Sequence, residues 1–230
     1  MGMEKKSVVL IMSVFLLAAM YFLAKEAATY TVAQQSEDKK VVVIDVGHGG
    51  NDPGKVGVNQ ILEKDINLQI ALKLEKFLQQ SDLTVILTRR EDVGLYDENA
   101  DNKKVQDMRR RIALIEEVKA DLVVSIHQNS YSDGSVRGPQ CFFYRNSQEG
   151  ERIAIILQDQ LNEGLEVERP REAKANDSYY LLKKSTIPTV IAECGFLSNR
   201  EEALLLDSEA YQEKLAWNLY MGILKYFNTD

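Results

Sequence analysis

The chain has 230 residues, of which 45% are hydrophobic and 27% are charged, and its formal net charge is -7 at pH 7. This composition excludes a disordered or collagen-like chain, and two Cys residues are too few for a small domain held together by disulfides. The acidic balance predicts no nucleic-acid partner, because phosphate backbones attract clusters of Lys and Arg. The two histidines are His48 and His127, so any chemistry that needs an imidazole must use one or both of them.

Residues 1–24 have the pattern of a targeting segment. Lys5 and Lys6 precede the apolar run Val8–Ala24, which as a helix would be about 25 Å long. A basic region before such a run is typical of a secretory signal peptide or an uncleaved signal-anchor. We favour the anchor because no A-x-A cleavage site follows the run. In either case the rest of the chain is predicted to lie outside the cytoplasm, membrane-anchored or secreted.

Residues 25–40 are mostly polar and have neither helical nor strand periodicity, which predicts a linker between the targeting segment and a folded domain. Residues 41–230 are enough for one sizeable domain with its own core. The sequence therefore predicts three consecutive parts, with boundaries after residues 24 and 40.

Hydrophobic periodicity within residues 41–230 alternates between strand and helix patterns. In chain order these are strand Val41–Asp45, helix Leu62–Phe77, strand Leu83–Thr88, helix Val105–Lys119, strands Leu122–His127 and Gly138–Tyr144, helix Gln148–Glu163, strands Tyr179–Lys183 and Thr189–Glu193, and helices Glu201–Leu206 and Glu209–Phe227. This repetition predicts an α/β domain with a mainly parallel, twisted sheet and helices on both faces. On the second helix, the basic run Arg109–Arg111 is predicted to lie on a solvated face.

Both histidines fall at the same edge of this predicted sheet. His48 follows the first strand in a Gly-rich loop, and His127 ends the third strand. Glu63 begins the first helix and Glu193 ends the last strand, so both carboxylates reach that edge too. Ligands of α/β sheets bind beyond the carboxyl ends of the strands, and the sequence therefore predicts a site there.

Two imidazoles and a carboxylate suit a catalytic zinc ion, which takes three protein ligands and leaves one position open. A zinc ion so held polarises a carbonyl and activates water, and a second carboxylate moves the proton. The residues alone do not decide which of Glu63 and Glu193 binds the metal. A single His near a strand end more often has a structural role, but the convergence of both histidines on one edge favours a metal site. The Gly-rich loop that contains His48 lacks the spacing of a phosphate-binding motif, which argues against a nucleotide site.

Four blocks carry a family resemblance: VVIDVGHGGNDPG, LEKDINL, SIHQN and IPTVIAECGFLSN. In this order they make the chain resemble the zinc-dependent N-acetylmuramoyl-L-alanine amidases of the amidase-3 type, from about residue 41 to residue 227. The resemblance implies a three-layer α/β domain with a roughly six-stranded sheet. It also implies that His48, Glu63 and His127 hold one Zn²⁺ per catalytic domain, and that Glu193 is the catalytic glutamate.

The implied substrate is peptidoglycan, and the implied reaction is hydrolysis of the amide between the lactyl group of N-acetylmuramic acid and L-alanine. An N-terminal anchor before a single catalytic domain resembles the sporulation and germination amidases that prepare muramic-δ-lactam in spore cortex. A deacetylase acting in sequence or a regulatory protein would be a further partner, and the location would be the cortex side of a forespore or the cell wall. The alternatives are a vegetative autolysin of the same family, another zinc amidohydrolase or exopeptidase, and a non-catalytic metal-bound module.

Three more residues are candidates for contacts at this edge. Arg89 ends the second strand, where it would either bind a carboxylate of the stem peptide or form a structural salt bridge. Asp45 either orients a ligating His or caps a turn, and Asn129 is a candidate substrate contact. Gln128 stands where the family usually has Ala. Cys141 and Cys194 are predicted to be buried thiols rather than a disulfide; both lie in strands or next to their ends.

Overall fold

The computed structural model describes residues 12, 14–25 and 39–229. Residues 14–25 are helical, and none of the described helices combines the length and the apolar character that crossing a bilayer requires. The predicted segments 1–24 and 25–40 lie largely outside the described residues, so their assignment stays a prediction. The chain divides between Lys39 and Lys40 into two units, and the second unit carries every site residue named above.

The second unit alternates strands and helices as predicted. Its strands are β1 (Lys40–Val46), β2 (Leu83–Leu87), β3 (Leu122–Asn129), β4 (Gln140–Phe143), β5 (Lys174–Ala175) and β6 (Thr189–Phe196). Its helices are α1 (Glu63–Leu78), α2 (Lys103–Glu117), α3 (Gln148–Gly164), α4 (Tyr180–Lys184), α5 (Arg200–Leu206) and α6 (Glu209–Asn228).

The strands form one six-stranded sheet in the order β2-β1-β3-β6-β4-β5. The first four strands in this order are parallel to one another, β4 runs antiparallel to β6, and β5 runs parallel to β4. Parallel strands end at the same edge, so the carboxyl ends of β1, β3 and β6 lie side by side. The mainly parallel sheet predicted from the sequence is confirmed.

Helices cover both faces of the sheet because side chains along each strand alternate between them. On β1, Val42 and Ile44 belong to the larger apolar core, which α1, α3 and α6 complete. Val43 points the other way into a smaller core with Ile115 of α2 and Leu181 of α4. The result is the predicted three-layer α/β arrangement.

One predicted element is wrong. The segment Tyr179–Lys183, expected to be a short strand, consists of the N-cap Tyr179 and the first four residues of helix α4. The side chain of Asn176 explains the difference: its Oδ1 accepts hydrogen bonds from the backbone N of Ser178 (2.8 Å) and of Tyr179 (3.1 Å). Such a turn reverses the chain, and the two-residue strand β5, which was not predicted, takes the sheet edge instead.

Helix α2 begins two residues earlier than predicted because Asn102 caps it, accepting a hydrogen bond from the backbone N of Val105 at 3.0 Å. The prediction that the basic run Arg109–Arg111 lies on a solvated face of this helix is only partly correct. Arg109 and Arg110 are exposed, but Arg111 is 2% exposed and points toward the carboxyl end of β1, where it has acidic and carbonyl partners.

Candidate functional site

His48 lies two residues after β1 in a backbone conformation that is uncommon for a residue with a side chain. Its φ is 61°, in the left-handed region that favours glycine. Its carbonyl oxygen accepts hydrogen bonds from Nε of Arg89 (2.8 Å) and from Nη2 of Arg111 (2.9 Å). These two guanidinium groups hold the turn and thereby fix where the imidazole lies.

The imidazole of His48 has a partner at each nitrogen. Its Nδ1 lies 3.0 Å from Oδ2 of Asp52, and its Nε2 lies 3.2 Å from Oε1 of Glu63. A carboxylate on one nitrogen of a histidine fixes the tautomer and leaves the other nitrogen to bind a metal. Asp52 was not singled out from the sequence, although its position four residues after His48 in the same loop was a usable signal.

Glu63 is the first residue of α1 and is buried. Its Oε1 lies 2.9 Å from Nδ1 of His127, and its Oε2 accepts a hydrogen bond from the backbone N of Lys55 at 2.7 Å. Burial raises the pKa of Glu63, but the hydrogen bonds and charges of His127 and His48 outweigh it and hold that pKa well below its ordinary value. The carboxylate is therefore ionised at neutral pH and available as a ligand.

His127 lies near the carboxyl end of β3 and faces His48. The two rings meet edge to face, with centroids 4.9 Å apart and planes at 80°. One donor atom each from His48, Glu63 and His127 can be chosen so that all lie within 4.8 Å of one another. Because zinc bonds to N and O are about 2.0–2.2 Å long, ligand atoms around a tetrahedral zinc lie about 3.3 Å apart. The donor set and its spacing therefore fit zinc.

Glu193 lies beside His127, since the two residues are register partners on β6 and β3. Its Oε1 accepts a hydrogen bond from the phenol of Tyr179 at 3.1 Å, whereas its Oε2 is buried with no hydrogen-bond partner among the described residues. Burial raises the pKa of Glu193 above its ordinary value. A carboxyl with a raised pKa is better suited to take up and return a proton.

These side chains share one cavity at the carboxyl edge of the sheet. Its volume is about 700 Å³, and its lining includes His48, Glu63, His127, Glu193 and Tyr179. The structure thus brings together the four residues that the sequence placed at this edge. It adds Tyr179, which the sequence had assigned to a strand; the turn-forming run Asn176–Ser178 was the signal against that assignment.

Asp45 and Arg89 lie behind the histidine loop. Asp45 makes no hydrogen bond to either imidazole in the described part of the chain; it accepts from Nη1 of Arg111 (2.7 Å) and from Oγ of Ser125 (2.6 Å). Arg89 is 4% exposed and donates to backbone carbonyls, including those of His48 (2.8 Å) and Lys64 (2.7 Å). These contacts indicate that Arg89 joins the loop to α1, a structural role.

Asn129 and Gln128 follow His127. Asn129 lines the cavity, and its Oδ1 accepts a hydrogen bond from the backbone N of Ser130 at 2.8 Å; its contact with substrate stays a prediction. The side chain of Gln128 is buried and donates to Oδ1 of Asn67 at 3.2 Å. The residue that departs from the family pattern therefore packs beneath the site.

Comparison with known proteins gives consistent matches over the second unit. The sequence profile of the Amidase_3 family, described as N-acetylmuramoyl-L-alanine amidase, matches residues 42–225. The germination-specific N-acetylmuramoyl-L-alanine amidase of Bacillus subtilis is 40% identical over 191 residues, which cover 82% of this chain and 80% of that protein.

Solved structures agree with this match. The CwlD amidase from Clostridioides difficile, in complex with the GerS lipoprotein, has 40% identity and a TM-score of 0.81, covering 84% of this chain and 100% of that one. The catalytic domain of CwlV from Bacillus (Paenibacillus) polymyxa var. colistinus has 31% identity and a TM-score of 0.73, covering 83% and 99%. The resemblance expected from the four sequence blocks is confirmed: the chain belongs to the N-acetylmuramoyl-L-alanine amidase family.

Proposed function

We propose that this chain hydrolyses the amide between the lactyl group of N-acetylmuramic acid and L-alanine in peptidoglycan, as a zinc-dependent amidase with Glu193 as general base. The observation that carries the proposal is the single cavity that holds the three donor residues His48, Glu63 and His127 next to a buried carboxylate with one unpartnered oxygen. Membership of the amidase family indicates which bond is cut.

His48, Glu63 and His127 would hold the metal. When bound, zinc acts as a Lewis acid that polarises the scissile carbonyl and makes water more acidic. The chain contributes a fixed donor set: Asp52 holds the ring of His48, and the backbone N of Gln128 donates to Oε1 of Glu63 at 3.1 Å.

Glu193 would move the proton. Its Oε2 accepts a proton from the water as the oxygen–carbon bond forms, and it then gives that proton to the nitrogen of L-alanine as the carbon–nitrogen bond breaks. The products are the lactyl carboxyl group and a stem peptide with a free amino terminus. The burial of Glu193 and its raised pKa support this exchange of one proton in both directions.

The test is mass spectrometry of purified peptidoglycan after incubation with the zinc-loaded full chain. We expect stem peptides that begin with free L-alanine, together with muramic acid that carries no peptide. The matched control is Glu193→Gln, which keeps the size of the side chain and should release nothing. Cleavage within the stem peptide would favour an exopeptidase, and no cleavage by the zinc-bound chain would favour a non-catalytic module.

We infer further that the natural substrate is spore cortex, where removal of the stem peptide precedes deacetylation and formation of muramic-δ-lactam. The 40% identity to a germination-specific amidase supports this inference. A strain that lacks the gene should make cortex without muramic-δ-lactam while its vegetative wall is unchanged. An altered vegetative wall with normal cortex would instead indicate an autolysin.

We also infer that the chain acts outside the cytoplasm, anchored by its N-terminal segment, and together with a regulatory protein. The basic residues before the apolar run support the anchor, and the complex of the CwlD amidase with a lipoprotein supports a partner of that kind. Detergent-dependent extraction of the full chain from membranes is the expected result. Release by salt alone would contradict anchoring.

A further inference from the structure

The two oxygens of the Glu193 carboxylate have different surroundings. The Tyr179 hydroxyl donates a hydrogen bond of 3.1 Å to Oε1, whereas Oε2 is buried and has no partner in the described part of the chain. The terminal torsion of a Glu side chain is broad and roughly two-fold. Without the bond from Tyr179, the plane of the carboxylate would be free to rotate away from the reacting orientation.

Tyr179 is itself held in place from two directions. Its backbone N donates to Oδ1 of Asn176 at 3.1 Å, and the backbone N of Asn176 donates to the carbonyl of Phe143 at 2.8 Å. Its ring meets Phe142 edge to face, with centroids 5.6 Å apart. Residues 142 and 143 belong to β4, which pairs with β6, the strand that carries Glu193. The hydroxyl is thus fixed to the same sheet as the carboxylate.

The phenol remains a donor over the working range of pH. Burial raises the pKa of Tyr179 well above its ordinary value, and the neighbouring charge of Glu193 raises it further. A hydroxyl that stays protonated and faces a carboxylate oxygen can only donate to it. The hydrogen bond therefore always runs from the Tyr179 hydroxyl to the carboxylate, and Oε1 accepts it whenever Glu193 is ionised.

We propose that Tyr179 is a positioning residue for the amidase reaction: its hydroxyl anchors Oε1 of Glu193 so that Oε2 is the oxygen that exchanges the proton. This inference rests on the proposed role of Glu193 as general base. Tyr179 need not touch the substrate for this role, since it acts through the orientation of the carboxylate. Small displacements of a catalytic group are costly; a misplacement of about 1 Å reduces rate by roughly 100-fold.

The test is Tyr179→Phe in the full chain, because this change keeps the ring that packs on Phe142 and removes only the hydroxyl. We expect kcat on purified peptidoglycan fragments to fall about 10- to 100-fold, with KM, zinc content and thermal midpoint close to wild type. A crystal structure of the variant should show the Glu193 carboxylate in a second orientation. The matched control is Tyr131→Phe, which removes a hydroxyl from a residue that is 60% exposed and does not line the cavity, and which should leave kcat unchanged.

Three outcomes are distinguishable with Glu193→Gln assayed alongside. Wild-type kcat in Tyr179→Phe, with Glu193→Gln inactive, would overturn this inference and leave the proposed function standing. If Tyr179→Phe loses zinc and activity and its thermal midpoint also falls, the inference would be overturned too, because a structural role would then explain the effect. Full activity in Glu193→Gln would overturn the proposed function, and the role of Tyr179 with it.

Discussion

Arg111 and Asp45 form an ion pair of 2.7 Å that is almost fully buried, with 2% and 3% of their side chains exposed. The same guanidinium donates to the carbonyl oxygen of His48 at 2.9 Å, where the backbone is left-handed. Helix α2 is thereby tied to the loop after β1. The pair holds in place the backbone that carries a candidate metal ligand. In the described part of the chain, neither side chain forms a hydrogen bond with the imidazole of His48 or His127 or with the carboxylate of Glu63.

Replacing Arg111 with Met should therefore affect both stability and metal binding. The change leaves the Asp45 carboxylate buried without a countercharge, which typically costs about 3–5 kcal/mol, and it frees the His48 carbonyl. We expect a large fall in the free energy of unfolding, measured with urea, and weaker zinc binding by titration. Arg109→Met is the control, since Arg109 is exposed on the same helix. Equal unfolding curves for the two variants would contradict the role of the pair.

The same pair predicts how stability depends on pH. Burial raises the pKa of Asp45, but the charge of Arg111 and the hydrogen bond from Ser125 outweigh it and keep the pKa below its ordinary value. When the pKa of a carboxyl in the folded protein lies below its value of about 3.9 in the unfolded chain, the carboxyl stabilises the folded protein at pH values above about 4. That contribution is lost as the pH falls through the folded pKa.

Urea unfolding from pH 7 to pH 3 measures this contribution. The wild-type chain should lose stability more steeply below about pH 4 than Asp45→Asn, which should be less stable at pH 7 and should respond less to acid. Parallel curves for the two proteins would show that Asp45 does not titrate with a lowered pKa in the folded state.

The sequence predicted which candidate site residues share one edge of the sheet because their placement depends on topology. Parallel strands end at one edge, so locating His127 and Glu193 at strand ends and Glu63 at a helix start was enough to bring them together. The contacts of Arg111 and Tyr179 depend instead on the direction in which each side chain points, which topology does not determine. A basic run on a helix is usually solvated, and only the packing of α2 against β1 shows that Arg111 turns inward. Tyr179 precedes the run Tyr180–Leu182, whose apolar residues are typical of a strand. The side chain of Asn176 instead forms a turn before it, and a helix follows.

Gly54 packs directly against two of the candidate metal ligands, Glu63 and His48. Its φ is +68°, and a Cβ built on it would lie 2.5 Å from Oε2 of Glu63 and 2.7 Å from Cδ2 of His48. Gly54→Ala should therefore lower zinc affinity, because the added methyl displaces two donors and strains the left-handed backbone. Gly134→Ala is the control, since its Cβ would meet only the carbonyl of Ser198, at 3.2 Å. Unchanged zinc affinity in Gly54→Ala would contradict the donor geometry.

Cys141 and Cys194 are free and buried on neighbouring strands, as predicted. Burial raises the pKa of both thiols, so the reactive thiolate is scarce at neutral pH. We expect an aromatic disulfide reagent to react with neither thiol in the native protein and with both after unfolding in urea. Rapid reaction of the native chain, or no free thiol after unfolding, would be incompatible with two buried thiols.

The most direct test of the account measures zinc content and turnover together in two variants. Glu193→Ala should retain one zinc per chain, by elemental analysis of the purified protein, and should release no stem peptide from peptidoglycan. His127→Ala should lose both the zinc and the activity, because the chain has no third histidine to replace the donor. Turnover by zinc-loaded Glu193→Ala, or a full complement of zinc in His127→Ala, would contradict the assignment of these residues.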